Sequence, residues 1–145
     1  MPEQAQTDRL AYLIAKLHRF VNNGLESRLQ EQGFTVEQWR VLETLSHRDG
    51  CPMGELANAV LMNHPALTKM IDRMVSSGLV HRAPDPADQR RVLVYGTERG
   101  IVAMQKLRSI VAEYEGGLNR LLDPAAMRDV RAILDRATNA LAEQD

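Results

Sequence analysis

NHPALTKMIDRMVSSGLVHRAPDPADQRRVLVYGTERG, residues 63–100, reads as one continuous device. It opens as a short helix pattern ending on Gly78. It then passes through LVHRA, the polar turn PDPADQRR and VLVY, which together make a hairpin pattern. On the helix, Leu67, Met70, Ile71, Met74 and Val75 recur at helical spacing, so all five are expected to face a core. The opposite face carries Asn63, His64, Thr68, Lys69, Asp72, Arg73 and Ser76, whose donors and acceptors suit base edges and phosphates. The hairpin tip, Asp85 to Arg91, holds adjacent Arg90 and Arg91 and no large apolar side chain. A helix for the major groove beside a basic hairpin for the minor groove is the logic of a winged helix-turn-helix.

Taken singly, each piece has an ordinary explanation. An amphipathic helix usually packs one face and solvates the other, and two arginines in a turn are usually surface charge. Order and spacing raise the functional reading. MGELANAV, residues 53–60, is a second short helix pattern with Met53, Leu56, Ala57 and Val60 as its apolar set. Only Leu61 and Met62 separate it from Asn63. Two short helices joined by so brief a turn make a helix-turn-helix, whose second helix enters the groove. Pro65 falls in the first turn of that helix, where its missing N–H costs nothing. Asn63, His64 and Thr68 are therefore the candidates for base edges, and Lys69 and Arg73 for phosphate or a guanine edge. Asp88 would organise the hairpin turn through backbone hydrogen bonds. Lys69 and Arg73 are also the local partners open to Asp72.

The ordered set resembles the MarR family, the multiple-antibiotic-resistance type of bacterial transcriptional regulators. The matching residues are Leu56-Ala57, Thr68, Ile71-Asp72-Arg73-Met74 and Gly78-Leu79-Val80. After them come Asp88-Gln89-Arg90-Arg91-Val92-Leu93-Val94 and Thr97-Glu98-Arg99-Gly100. One departure is Gly96, where the family usually places Leu; it is expected to loosen the end of the second hairpin strand. The resemblance extends over nearly the whole chain. It implies that Arg90 reaches the minor groove or braces the wing, and that Asp72 pairs with Arg90 to set the wing angle. It also implies a homodimer with interleaved terminal helices. Members of the family commonly bind small anionic aromatic compounds in a cleft between those helices and the reading head.

Length and charge agree with this reading. At 145 residues the chain suits a single domain with a moderate core, here 1–145. Within it, 35–100 would be the winged helix, with 8–32 and 101–143 as helical dimerisation regions. The net charge of −1 gives no global basic signal and counts mildly against nucleic acid. Its distribution matters more. Between Leu61 and Arg99, Lys69, Arg73, Arg82, Arg90, Arg91 and Arg99 stand against Asp72, Asp85, Asp88 and Glu98, six against four, a local positive surplus. A local patch of that kind is enough to hold DNA. Leu10 to Leu29 is broken by Lys16, Arg19, Glu26 and Arg28, so it cannot cross a bilayer. With no signal or lipidation motif, a cytoplasmic protein without a membrane partner is expected.

The flanks read as helices, and only the wing reads as sheet. Leu10, Leu13, Ile14, Leu17, Val21, Leu25 and Leu29 form one apolar stripe, with Gly33 ending the helix. Thr35 with Gln38 is a capping-box start for a helix carrying Trp39, Leu42 and Leu45. Thr97 can cap a long helix through Ile101, Met104, Leu107, Val111 and Leu118, whose end Gly116-Gly117 should weaken. Asp123-Pro124 starts the last helix, with Met127, Val130, Leu134, Ala137 and Leu141 on one face. The terminal helices are apolar over more of their length than a small winged-helix core requires. Leu10, Leu13, Leu17, Val21, Met127, Val130, Leu134 and Leu141 are therefore the expected homodimer interface. A two-fold dimer places two recognition helices about 34 Å apart and so reads palindromic double-stranded DNA.

Catalysis finds no support. No Ser/His/Asp arrangement, phosphate loop or carboxylate pair stands out. His18, His47, His64 and His81 lack metal-pair spacing, so neither a metal nor another cofactor is expected. A small-molecule effector would need an aromatic wall and a cation. The candidates are Tyr12, His18 and Arg19 on the first helix and Trp39 and Arg40 on the second, although Trp39 equally suits a core position. Two alternatives stand beside a ligand-released repressor. One is a winged-helix protein-interaction module; the other is a thiol-based redox regulator working through the single cysteine, Cys51.

Overall fold

The computed structural model describes residues 7–144. Among them are six helices and one small sheet. Helix α1 (Leu10–Gln30) and α2 (Val36–Ser46) come first, then β1 (Cys51–Pro52), α3 (Met53–Val60) and α4 (His64–Ser76). The strands β2 (Val80–Pro84) and β3 (Val92–Gly96) follow, and α5 (Glu98–Asn119) and α6 (Pro124–Ala142) close the chain. The protein is thus mostly α with a β-hairpin wing, a winged helix-turn-helix flanked by long terminal helices. It divides into two compact units, one ending at Ile110 and the other beginning at Val111, so the division falls inside α5. No helix among the described residues is long and apolar enough to cross a membrane.

Local chemistry sets the starts. Thr35 and Gln38 form the full capping box at α2, each side chain bonded to the other's backbone N–H at 3.1 and 3.0 Å. Asn63 and Asp123 cap α4 and α6, accepting from Ala66 N and Ala126 N at 2.9 Å each. Thr97 donates to the Gly78 carbonyl at 2.6 Å and accepts from Gly100 N at 3.0 Å, so one hydroxyl ties the end of the reading helix to the start of α5. Gly100 is fixed by packing: a Cβ there would lie 2.1 Å from the Leu79 carbonyl oxygen.

The core of the first unit joins α2, α3, α4 and the sheet through Val36, Val41, Leu56, Val60, Leu67, Ile71, Met74 and Val94, all fully buried. Four of the five apolar residues expected to face inward from α4 do so; Val75, 37% exposed, does not. At about 100° per residue it sits roughly 90° round the helix from the centre of the buried set, at the edge of the arc.

One further expectation is corrected. The sheet has three strands in the order β1-β3-β2, all antiparallel, because Cys51 and Pro52 pair with Val94 and Leu93. A two-residue strand has no periodicity to detect, and its proline is tolerable because β1 lies at an edge. Gly96 pairs with Val80 at the end of the ladder. Helix α5 runs through Gly116 and Gly117 and ends soon after, at Asn119. Each glycine costs a helix only about 1 kcal/mol. In the second unit, Arg131 of α6 bonds Glu115 and Asn119 of α5, both at 2.6 Å.

Candidate nucleic-acid interface

The polar side of α4 is built as the spacing requires, but two of its side chains are already engaged. Asn63 uses its carbonyl oxygen as the cap, which leaves its amide as a donor only. Thr68 donates to the His64 carbonyl at 3.0 Å, so its hydroxyl can meet a base edge only as an acceptor. His64, Lys69 and Arg73 are exposed. The structure sorts these residues onto two sides. Asn63, His64 and the wing residue Arg91 line one shallow groove together with Asn58 and Glu55 of α3. Lys69 and Arg73 line another, against Thr35, Glu37 and Gln38 at the start of α2, with Leu61 and Asn63 at its edge. Asn63 borders both.

The wing tip is shaped by carboxylates. Asp85 accepts from Ala87 N at 2.9 Å, and its own N–H donates to the Arg91 carbonyl at 2.9 Å. Asp88 accepts from the Arg90 backbone at 3.1 Å and from Arg90 Nε at 3.3 Å. The Arg90 side chain is 92% exposed even so.

Asp72 does not pair with Arg90, nor with Lys69 or Arg73. Its partner is Arg82 of β2, at 2.5 Å. The reason is topological. Three residues, 77–79, join α4 to β2, so the first wing strand returns along the exposed side of α4, while Arg90 turns back onto Asp88 at the far tip. Arg82 was missed because it lies inside a strand pattern and belongs to no turn. On the same strand His81 stacks on Tyr95, with ring centroids 5.1 Å apart. Lys69, Arg73 and Arg91 form no ion pair among the described residues, so this face keeps an uncompensated positive charge.

The expected effector residues differ in exposure. Tyr12, His18 and Arg19 are exposed on α1, Arg40 is half-buried, and Trp39 is part of the core at 8% exposure. Four clefts of the first unit are lined by other residues. Cys51 is fully buried, and its thiol accepts from Arg48 Nη1 at 3.4 Å. Burial pushes its pKa up, against the opposing pull of Arg48, so the reactive thiolate is disfavoured.

Of the eight residues expected at a subunit interface, Leu10, Leu13, Leu17, Leu134 and Leu141 are exposed, and Val21, Met127 and Val130 are half-buried. Phe20, absent from that set, is 67% exposed on the same helix. Helix α6 buries no residue at all.

Comparison with known proteins places this architecture. A model of the MarR family matches residues 34–92, the stretch that holds α2 to the wing tip. The chain is 28% identical over 102 residues to the HTH-type transcriptional repressor IacR of Pseudomonas putida, a match that takes in 70% of this chain and 61% of that protein. It therefore spans about three-fifths of that relative's length. It is 30% identical over 104 residues to the multiple antibiotic resistance protein MarR of Escherichia coli, covering 72% of each. A solved structure of a mutant of E. coli MarR complexed with operator DNA superposes with a TM-score of 0.81 at 27% identity, over 88% of this chain and 92% of that one. By its fold, its motif order and these matches, the chain belongs to the MarR family.

Proposed function

We propose that the chain is a sequence-specific DNA-binding transcriptional regulator that works as a homodimer, represses from a palindromic operator and is released by a small ligand. The observation that carries this reading is the groove in which Asn63 and His64 of α4 meet Arg91 of the wing. Donors of two different elements converge there on one surface, as simultaneous reading of a base edge and the adjacent backbone requires. Asn63, His64 and Thr68 meet bases, Lys69 and Arg73 meet phosphates, and Arg90 and Arg91 take the wing to the minor groove. Asp72 and Asp88 position that wing. The repressor among the relatives and the operator complex of E. coli MarR support the same reading.

Dimerisation follows from the apolar surface left open. Leu13, Ile14 and Leu17 are each about half exposed on α1, and Leu134 and Leu141 are exposed on α6. Each side chain so covered contributes about 1.5–3 kcal/mol when fully removed from water. A second copy is the partner that supplies matching stripes, and 8–32 with 101–143 then act as dimerisation helices around the 35–100 reading head.

The test is a salt titration of binding to duplex DNA, followed by anisotropy. Neutralised phosphates release counterions, so the affinity of the wild-type chain falls steeply with salt. Arg91→Ala and Lys69→Ala should each flatten that slope by about one unit. Slopes that do not change would remove both residues from the contact surface.

A further inference from the structure

Leu61 is the most exposed large apolar side chain among the described residues, 79% open to solvent. It is also the only residue other than glycine among them with a positive φ, 60°. The turn accounts for the backbone but not for the side chain. Met62 N–H donates to the Ala57 carbonyl at 3.0 Å and Leu61 N–H to the Asn58 carbonyl at 3.4 Å, a closure that ends a helix through one left-handed residue. Glycine takes that conformation freely, whereas leucine is strained in it, and no burial within the chain offsets the strain. Nor does the expected dimer account for it. The apolar stripes of that dimer lie on α1 and α6, and Leu61 lies between the two helices of the helix-turn-helix. Its neighbours point to a different surface. Leu61 borders the groove that holds Asn63, Lys69 and Arg73, the residues assigned above to base edges and phosphates.

We propose that Leu61 touches DNA directly, its side chain packed on the deoxyribose rings of the strand held by Lys69 and Arg73, a contact that rests on the DNA-binding function proposed above. The first helix of a helix-turn-helix crosses the sugar-phosphate backbone, so the turn after it lies beside sugars rather than base edges. Between its phosphates that backbone offers the C–H surface of the sugars, and this is the part an isobutyl group suits. The contact removes apolar surface from water and displaces no counterion, so salt does not take its affinity away. A sugar recurs at every nucleotide, so the contact carries no sequence preference of its own. Lys69 and Arg73 supply the salt-dependent part of the hold on that strand, and Leu61 supplies a salt-independent part beside them.

Leu61→Asn and Leu61→Gly remove the apolar group, and both new residues accept a left-handed backbone. The full chain and each variant are titrated with duplex DNA at several salt concentrations. Each variant should bind about three- to tenfold more weakly than the wild type, the factor expected of a leucine partly withdrawn from water. The slope of log affinity against log salt should stay as in the wild type, and the melting temperature should not fall. Leu61→Met, which keeps the apolar surface, should bind nearer to the wild type. A duplex with deoxyuridine in place of thymidine should show the same loss, because its sugars are unchanged. Equal affinity of Leu61→Asn and the wild type overturns the contact. Weaker binding with a flatter slope or a lower melting temperature also overturns it, since the leucine would then act through Lys69 or through the fold. A loss that vanishes on the deoxyuridine duplex overturns the sugar as partner and assigns the leucine to thymine methyl groups. A wild-type chain that binds no duplex fails the DNA-binding reading itself, whereas one that binds with all three variants unchanged loses this contact alone.

Discussion

Leu61 shows how a single residue can run against its surroundings. It ends α3 in the left-handed conformation, φ 60°, with its side chain 79% exposed. For an L-residue that conformation costs about 1–2 kcal/mol, while glycine's extra chain entropy costs about 0.5–1 kcal/mol. Almost no burial would be lost, so strain relief wins. Leu61→Gly should raise stability by up to about 1 kcal/mol, which thermal unfolding reads as a rise of a few degrees; a lower melting temperature would mean that the exposed leucine is held by contacts. Cys51 makes the opposite point. Its buried thiol should react with a thiol reagent at pH 8 far more slowly in the native protein than in urea. Because its pKa is raised on folding, the protonated form stabilises the fold below the ordinary thiol range. That contribution fades as pH climbs through the raised value. Equal reaction rates in the two states would return Cys51 to consideration as a redox switch. Much at this scale was legible in the sequence. Thr35, Thr97 and Asp123 all cap where their spacing to the following residues says they must, whereas the cap at Asn63 went unread because that residue was assigned to base edges. Their partners are three residues away, within reach of a pattern. Arg82 and Asp72 are ten apart across a change of element, and no local pattern joins them.

At the scale of elements, α4 and the wing are held at their mutual angle in part by one ion pair. The Asp72–Arg82 bond is the direct tie between the polar face of α4 and β2, and it is partly exposed on both sides. An ion pair of that kind contributes at most about 1 kcal/mol to stability. Its larger effect is expected on DNA, because a wing that swings loses its contacts without unfolding. Arg82→Ala and Asp72→Asn should therefore weaken duplex binding by similar factors while shifting the melting temperature little. A much larger loss for Arg82→Ala would mean that Arg82 touches DNA itself. Arg90→Ala should act separately, weakening all sequences by a similar factor and A·T-rich flanks the most, since a narrow minor groove strengthens the attraction for arginine. The helices were readable because their apolar sets repeat over two turns or more. Strand β1 was not, since two residues carry no period and its pairing with β3 joins Cys51 to Val94 and Pro52 to Leu93, more than forty positions apart.

For the whole molecule, the apolar stripes on α1 and α6 were visible as patterns, and the structure leaves them uncovered in a single chain. What the sequence could not give was the location of an effector site. Tyr12, His18, Arg19, Trp39 and Arg40 were chosen by residue type, and type alone does not say which side chains a fold brings to one cavity. If a second copy covers the stripes, a carboxylate placed in them is buried without a partner at a cost of several kcal/mol. Leu134→Glu and Leu13→Glu should each yield monomers or unfolded chains. Light scattering of the wild-type protein at micromolar concentration should give about twice the 16.3 kDa of one chain. A monomeric mass would remove the interface. Sequence-specific binding by a dimer is tested most directly by what the intact protein selects from a random pool of duplex DNA. Sequencing the bound fraction should return two inverted half-sites with centres about 10 base pairs apart, the spacing of two recognition helices related by a two-fold axis. His64→Ala should relax the preference at one position of each half-site. A pool that emerges without enrichment, or with a single unrepeated half-site, would contradict the reading of this protein as a dimeric, sequence-specific DNA-binding regulator.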